Sequence, residues 1–200
     1  VSRFVKAVVR LVQALYRMSF LNTVYVLSIK KVTVWWLFFM KIFQSGITMV
    51  RSDFSSKNNL EFLEPIAQLE RQLFPNDAWT AQSIENLLQA DINDVLIFQQ
   101  DDVLQGYCLY QKLFETAEIL RIGVNPRLQQ QGIGTQIFVQ LIQILVQRLV
   151  ETLMLEVRAD NFLAINFYKK HGFSQIHTRK GYYLLNNGQK IDGLILQKQL

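Results

Sequence analysis

The sequence predicts a mixed α/β domain in which helices cover both faces of a central sheet. Three observations carry that prediction. Apolar residues recur every four positions at Ile133, Ile137, Leu141, Leu145 and Leu149, with Gln136, Gln140, Gln143 and Gln147 between them, which is the pattern of an amphipathic helix. From Thr152 to Val157, Leu153, Leu155 and Val157 fall on one face and Met154 and Glu156 on the other, the period of a strand. Helical and strand-like segments then alternate from Leu60 to the end, separated by Pro, Gly and Asn turns.

The elements follow in order. Pro65 to Leu73 places Ile66, Leu69 and Leu73 on one stripe, suiting a short helix that Phe74-Pro75-Asn76-Asp77 breaks. Thr80 is an N-cap for a second helix continuing through Ser83 to Leu88. Val95–Phe98 and Val103–Gln111 form a hairpin across Asp101-Asp102. A further strand, Glu118–Val124, is ended by Pro126, and the long helix spans Ile133 to Leu149. After the Thr152–Val157 strand, Asn161 caps a helix whose inner stripe is Ala164, Ile165 and Tyr168, with Gly172 at its C′ position. Phe173–Arg179 and Ile191–Lys198 close the sheet around an Asn187-Gly188 turn.

The net charge of +5 is unevenly spread. Residues 1–52 hold no Asp or Glu but carry Arg3, Lys6, Arg10, Arg17, Lys30, Lys31, Lys41 and Arg51, which is +8; subtracting that from +5 leaves −3 for the rest. The main domain is therefore slightly acidic, and direct nucleic-acid binding is not expected. The one cysteine, Cys108, lies in an apolar strand and reads as a buried small hydrophobe. With it as the only thiol, and His171 and His177 lacking ligand spacing, no disulfide and no metal site are expected.

Residues 1–52 read as a basic, apolar N-terminal extension, and residues 58–200 as the main folded domain, joined by a polar linker at Asp53–Asn59. Val32 to Phe43 is too short and too charged for a membrane span, which needs about 20 apolar residues. Three readings of residues 1–48 stay open: a basic segment lying on anionic lipid, a helical extension packed on the domain, or sequence upstream of an internal start at Met49. The third is preferred and membrane contact is less favoured. A cytoplasmic location is expected.

Arg127 to Thr135 is the segment with the clearest chemistry. A strand ends, Pro126 turns the chain, and a Gln/Gly-rich loop opens the long helix. Backbone N–H groups at such a helix start form an anion-binding concavity, and Gly132 and Gly134 let a phosphate approach closely. No Lys-Ser/Thr pair follows, which excludes a mononucleotide P-loop. The glycine spacing is too short for a dinucleotide fingerprint.

Val124-Asn125-Pro126, Gln129 and Gln131-Gly132-Ile133-Gly134-Thr135 resemble the cofactor motif of the GNAT-type N-acetyltransferases. The resemblance runs over roughly residues 60–200. Leu155-Glu156-Val157-Arg158, Asn161, Ala164-Ile165, Phe167-Tyr168, Gly172-Phe173, Arg179, Tyr182-Tyr183, Gly188 and Asp192 are similar to the RimI-type branch, which acetylates the N-terminal alanine of a small-subunit ribosomal protein. It departs at three substrate-side places: Asn76-Asp77-Ala78-Trp79 after Phe74-Pro75, Gly181, and Ile191 before Asp192.

The resemblance implies a GNAT fold with a mostly antiparallel sheet, acetyl-CoA as co-substrate without a metal, and a protein N-terminus as acceptor. It implies that the strand holding Ile122, Gly123 and Val124 splays from the Thr152–Val157 strand, so that pantetheine fits the gap and a backbone N–H there meets the thioester carbonyl. Gln129, Gln130, Gln131, Gly132, Ile133, Gly134 and Thr135 would then surround the pyrophosphate. Asn161 would bond the pantetheine arm and Lys170 would reach the phosphates. Glu156, the one acid within its strand, is the candidate base; a salt-bridged carboxylate, for instance with Arg158, is the alternative. An α-amine has a pKa of about 7.7–8, so a modest base suffices. Tyr168 is the candidate acid for the departing thiolate, against the alternative of a core aromatic. Tyr182 and Tyr183 are expected as exposed loop aromatics walling the acceptor site. An acceptor lysine or small amine, or a non-catalytic acyl-CoA-binding module, are the competing functions. The oligomeric state is not legible.

Overall fold

The computed structural model describes residues 47–51, 60–101, 103–185 and 187–200. The readings made for residues 1–46 and for the Asp53–Asn59 linker lie outside them. Among the described residues no helix is long and apolar enough to cross a membrane.

The elements are β1 (Ile47–Arg51), α1 (Leu63–Leu73), α2 (Ala81–Leu88), β2 (Asn93–Gln100), β3 (Val103–Leu113), β4 (Thr116–Val124), α3 (Ile133–Gln147), β5 (Thr152–Arg158), α4 (Phe162–Lys170), β6 (Ser174–Leu184) and β7 (Lys190–Gln199). Short 3-10 turns precede α1 and α3. The strands form one sheet in the order β1-β2-β3-β4-β5-β7-β6. The β2–β3, β3–β4, β5–β7 and β6–β7 pairs are antiparallel and β4–β5 is parallel. The expected order of helices and strands is therefore observed, with β1 added from residues that the sequence had grouped with the extension. Ile47, Thr48, Met49 and Val50 are all good strand formers, but a strand this short has no period to announce it.

The strand alternation distributes the core to two faces. Val95, Ile97, Tyr107 and Leu109 pack with Phe62, Leu63, Ile66 and Leu69 of the α1 region and Ile84 and Leu88 of α2. The intervening Leu96, Phe98, Cys108 and Tyr110 are equally buried on the other side, where α3 buries Ile137, Phe138, Leu141 and Leu145. Helix α4 joins α3 there: Phe138 meets Phe167 edge-on at 6.0 Å and Phe173 at 5.6 Å. Cys108 is a free, fully buried thiol whose pKa burial pushes up, in line with an inert core residue.

Two element ends differ from the sequence expectation. Helix α3 stops at Gln147, because Leu149 takes a left-handed conformation (φ 59°) and lies 80% exposed, turning the chain toward β5. Strand β6 does not stop at Arg179. Its pairing with β7 slips between Arg179 and Tyr183, where Gly181 adopts φ 59°, and resumes at Tyr183 opposite Ile191. Tyr182 and Tyr183 therefore stand on a strand, not on a loop.

Candidate acetyl-transfer site

The β4–β5 ladder is short. Thr116 to Ile119 pair with Thr152 to Leu155, and there the pairing ends although β4 runs on to Val124 and β5 to Arg158. The strands part as the resemblance implied. The divergence coincides with a bulge: Tyr110 pairs with Ile119 and Leu109 with Arg121, so Leu120 has no partner. The Asn125 N–H donates to Gln105 O at 2.8 Å. In an antiparallel ladder alternate residues bond the partner strand, so Gly123 and Arg121 face β3 and the N–H groups of Ile122 and Val124 turn into the gap.

Gly123 is glycine for a packing reason. A Cβ there would lie 2.6 Å from the Tyr107 ring and 2.7 Å from Leu73. Its missing side chain lets α1 and β3 close on β4; it does not open the gap.

The loop before α3 is wound from its own side chains. Asn125 accepts from the Arg127 N–H at 3.1 Å, Gln129 Nε2 donates to Val124 O at 3.2 Å, and Gln131 Nε2 donates to Arg127 O at 3.1 Å. Gln130 and Gly132 both take left-handed conformations, at φ 61° and 85°. The first bond into the helix is Gln136 N–H to Gly132 O; among the described hydrogen bonds, the N–H groups of Ile133, Gly134 and Thr135 have no protein acceptor. At Gly134 a Cβ would meet Phe167 at 3.7 Å and Val124 at 3.8 Å, ordinary contact distances. Packing therefore does not require glycine there. These residues fit a pyrophosphate. The side-chain amides of Gln129 and Gln131 are engaged in holding the loop, which leaves only their backbone groups for a ligand.

Asn161 is an N-cap, accepting from the Ala164 N–H at 3.1 Å; its Nδ2 makes none of the described hydrogen bonds. Helix α4 buries Ile165 and Tyr168, with Ala164 only half-buried. Lys170 is exposed in its last turn. The Tyr168 ring is 6% exposed, stacked edge-on with Phe167 at 5.5 Å and Phe173 at 5.6 Å. Its hydroxyl makes none of the described hydrogen bonds. Burial pushes this phenol well above its usual range, with a smaller push from Cys108.

On the opposite face of the gap lies Glu156, with 16% of its side chain exposed. Its partner is Arg179, not Arg158: Arg179 Nη1 donates to Oε2 at 2.8 Å, while Arg158 pairs with Asp160. The Tyr183 hydroxyl donates to Oε1 at 2.8 Å. Both partners stand on β6 and reach across β7 to β5. Gly193 on β7 makes the crossing possible, since a Cβ there would sit 3.3 Å from the Glu156 carboxylate and 3.4 Å from Tyr182. Burial, and then the hydrogen bond to Glu156, push the Tyr183 phenol up. Tyr182 is 54% exposed, edge-on to Tyr183 at 5.0 Å, with the Arg179 guanidinium over its ring at 5.0 Å.

Sequence reasoning missed a cluster on that same face. Glu70 is fully buried and accepts hydrogen bonds from the Tyr107 hydroxyl and, at 3.0 Å, from the Trp79 N–H. Arg121 places Nε 3.6 Å from Glu70 and donates through Nη1 and Nη2 to Asp77 Oδ2 at 3.1 and 3.0 Å. Each had a signal. Glu70 sits on the apolar stripe of α1, four residues after Ile66, and Arg121 interrupts an apolar strand.

The comparisons with known proteins agree with this geometry. The profile of the Acetyltransferase (GNAT) family matches residues 62–173. A ribosomal protein bS18-alanine N-acetyltransferase from Haemophilus ducreyi is 30% identical over 149 residues, covering 74% of this chain and 95% of its own. Among solved structures, the ribosomal-protein-S18-alanine N-acetyltransferase from Escherichia coli superposes with a TM-score of 0.65 at 26% identity, over 76% of this chain and 93% of that one. A GNAT family acetyltransferase from Elizabethkingia anophelis with acetyl-CoA bound shares the fold, with a TM-score of 0.60 at 20% identity over 78% and 99% of the two chains.

Proposed function

Since the chain belongs to the GNAT acetyltransferase family and is an N-acetyltransferase, we propose that its acceptor is the N-terminal α-amine of a protein, and specifically the N-terminal alanine of a ribosomal protein. The observation that supports this most is the parting of β4 and β5, which puts Glu156 on one face of an opening and the loop before α3 on the other. The acceptor identity comes from the relatives' activity, together with a site in which a weak base suffices for an α-amine of pKa about 7.7–8.

Bound acetyl-CoA would supply an activated acyl thioester. In this reading the N–H groups of Ile133, Gly134 and Thr135 hold its pyrophosphate at the positive end of α3. Asn161 offers Nδ2 to the pantetheine arm, because its Oδ1 caps α4, and Lys170 adds charge at the phosphates. The N–H groups of Ile122 and Val124 polarise the thioester carbonyl. Glu156 receives the amine proton through a water; each of its oxygens accepts one described hydrogen bond and retains a further lone pair. Tyr168, kept protonated by burial, delivers a proton to the departing thiolate. Tyr182 and Tyr183 form one wall of the acceptor entrance.

The testing experiment measures acetyl transfer to a peptide with a free N-terminal alanine against a lysine peptide with a blocked N-terminus. Faster turnover of the alanine peptide is expected. Preference for the lysine peptide would overturn the acceptor assignment, and tight acetyl-CoA binding without turnover of either would indicate a non-catalytic module.

A further inference from the structure

The connection between α1 and α2 is held to the sheet at an unusual number of points. The Arg121 guanidinium lies over the rings of Phe74 and Trp79, with ring centroids 4.6 and 4.8 Å from its carbon. Asp77 accepts from the guanidinium through its side chain at 3.0 and 3.1 Å and through its backbone carbonyl at 3.0 Å. Below them, buried Glu70 accepts from the Trp79 N–H and the Tyr107 hydroxyl. The Arg121 Nε is sealed from solvent, beyond hydrogen-bond distance of Glu70 at 3.6 Å. Connecting segments are ordinarily the most mobile part of a domain; here a buried carboxylate and a flat cation fix one in place.

The direction of Arg121 follows from the Leu120 bulge. Arg121 pairs with Leu109, which packs against α1 and α2, whereas Ile119 pairs with Tyr110 on the opposite face. Without the extra residue, Arg121 would share the face of Ile119. The bulge thus turns a charged side chain toward the face that also carries Glu156 and Tyr183.

We propose that Arg121 is a positioning residue for the acceptor: by clamping the Phe74–Trp79 segment onto β4, it fixes the wall of the acceptor entrance opposite Tyr182 and Tyr183. The proposal rests on the reading of Glu156 and Tyr183 as the acceptor side of the site. Arginine suits the task because its planar fork stacks on aromatic rings while bonding a carboxylate, which a lysine ammonium cannot do.

The test is steady-state kinetics of Arg121→Lys and Asp77→Asn on whichever of the alanine and lysine peptides the unaltered protein turns over faster, with acetyl-CoA affinity measured by calorimetry. Arg121→Lys is expected to raise the acceptor KM about tenfold, while kcat at saturation falls by less and acetyl-CoA Kd stays within about twofold. Asp77→Asn is expected to give a smaller KM rise of about threefold, since the stacking remains. Its side chain is 73% exposed, so this variant decides the matter if Arg121→Lys fails to fold. An acceptor KM within about twofold of the unaltered protein, or an acetyl-CoA Kd weakened as much as the acceptor KM, overturns the proposal. Preference of the unaltered protein for the lysine peptide overturns only the acceptor assignment, because the KM ratio is still read on that peptide.

Discussion

Tyr168 and Tyr183 are both phenols pushed above their ordinary pKa of 10.0, with burial the largest cause in each. They differ in the next cause: Tyr183 donates to Glu156, whereas the Tyr168 hydroxyl makes none of the described hydrogen bonds. The first is committed to a carboxylate; the second has a proton to give. Tyr168→Phe is therefore expected to lower kcat about a hundredfold with acetyl-CoA binding retained. Single-turnover and binding measurements check this, and unchanged turnover removes Tyr168 from the mechanism. The raised pKa keeps the acid form present above pH 10, so ionisation of Tyr168 should not limit the rate below that value. It also bears on stability. The folded state holds these protons more tightly than the unfolded chain, so their contribution is complete below the unfolded pKa of 10.0 and is lost as pH rises beyond it. Melting temperatures measured from pH 9 upward, at about half-unit steps, should fall above pH 10, and less steeply in Tyr168→Phe.

At the scale of elements, α3 is where stability and binding can be separated. Gly134 lies in its first turn with room for a methyl group between Phe167 and Val124. Gly134→Ala is thus expected to fold and to gain up to about 1 kcal/mol from helix propensity, yet to bind acetyl-CoA more weakly because the methyl occupies the ligand's approach. Gly134→Trp should abolish binding. Calorimetric binding beside thermal melts reads both signs. An alanine variant that is less stable and binds normally would mean that packing, and not a ligand, selected the glycine. The β5-β7-β6 arrangement works differently: it brings two β6 side chains over Gly193 to a β5 carboxylate, so the environment of Glu156 is built by residues 23 and 27 positions away.

For the whole molecule, the sequence places the domain at residues 58–200, whereas the sheet also takes in β1 from Ile47–Arg51. We propose that the fold of the domain begins at that strand. A chain shortened to 47–200 is expected to retain acetyl transfer, whereas one beginning at Asp53 exposes the backbone edge of β2 and should aggregate more readily. Activity and light scattering of the two chains check this; loss of transfer on removing residues 1–46 would make the extension part of the machinery.

Local periodicity determined the helices from Leu63 and the strands from Asn93, because a buried stripe or face leaves its period in the chain whatever its partner. Turn chemistry determined the caps at Thr80 and Asn161 and the left-handed Gly172, because these bonds close within a few residues. The Gln/Gly turn before α3, with its left-handed Gly132, was legible for the same reason. Only the tertiary structure decided that Glu156 pairs with Arg179 and Tyr183, that Gly123 answers to Tyr107 and Leu73, and that Arg121 lies over the rings of Phe74 and Trp79. Those contacts depend on strand order and on one unpaired residue, Leu120, which reverses the faces beyond it. A bulge leaves no mark on a sequence's own period until its partner strand is in place.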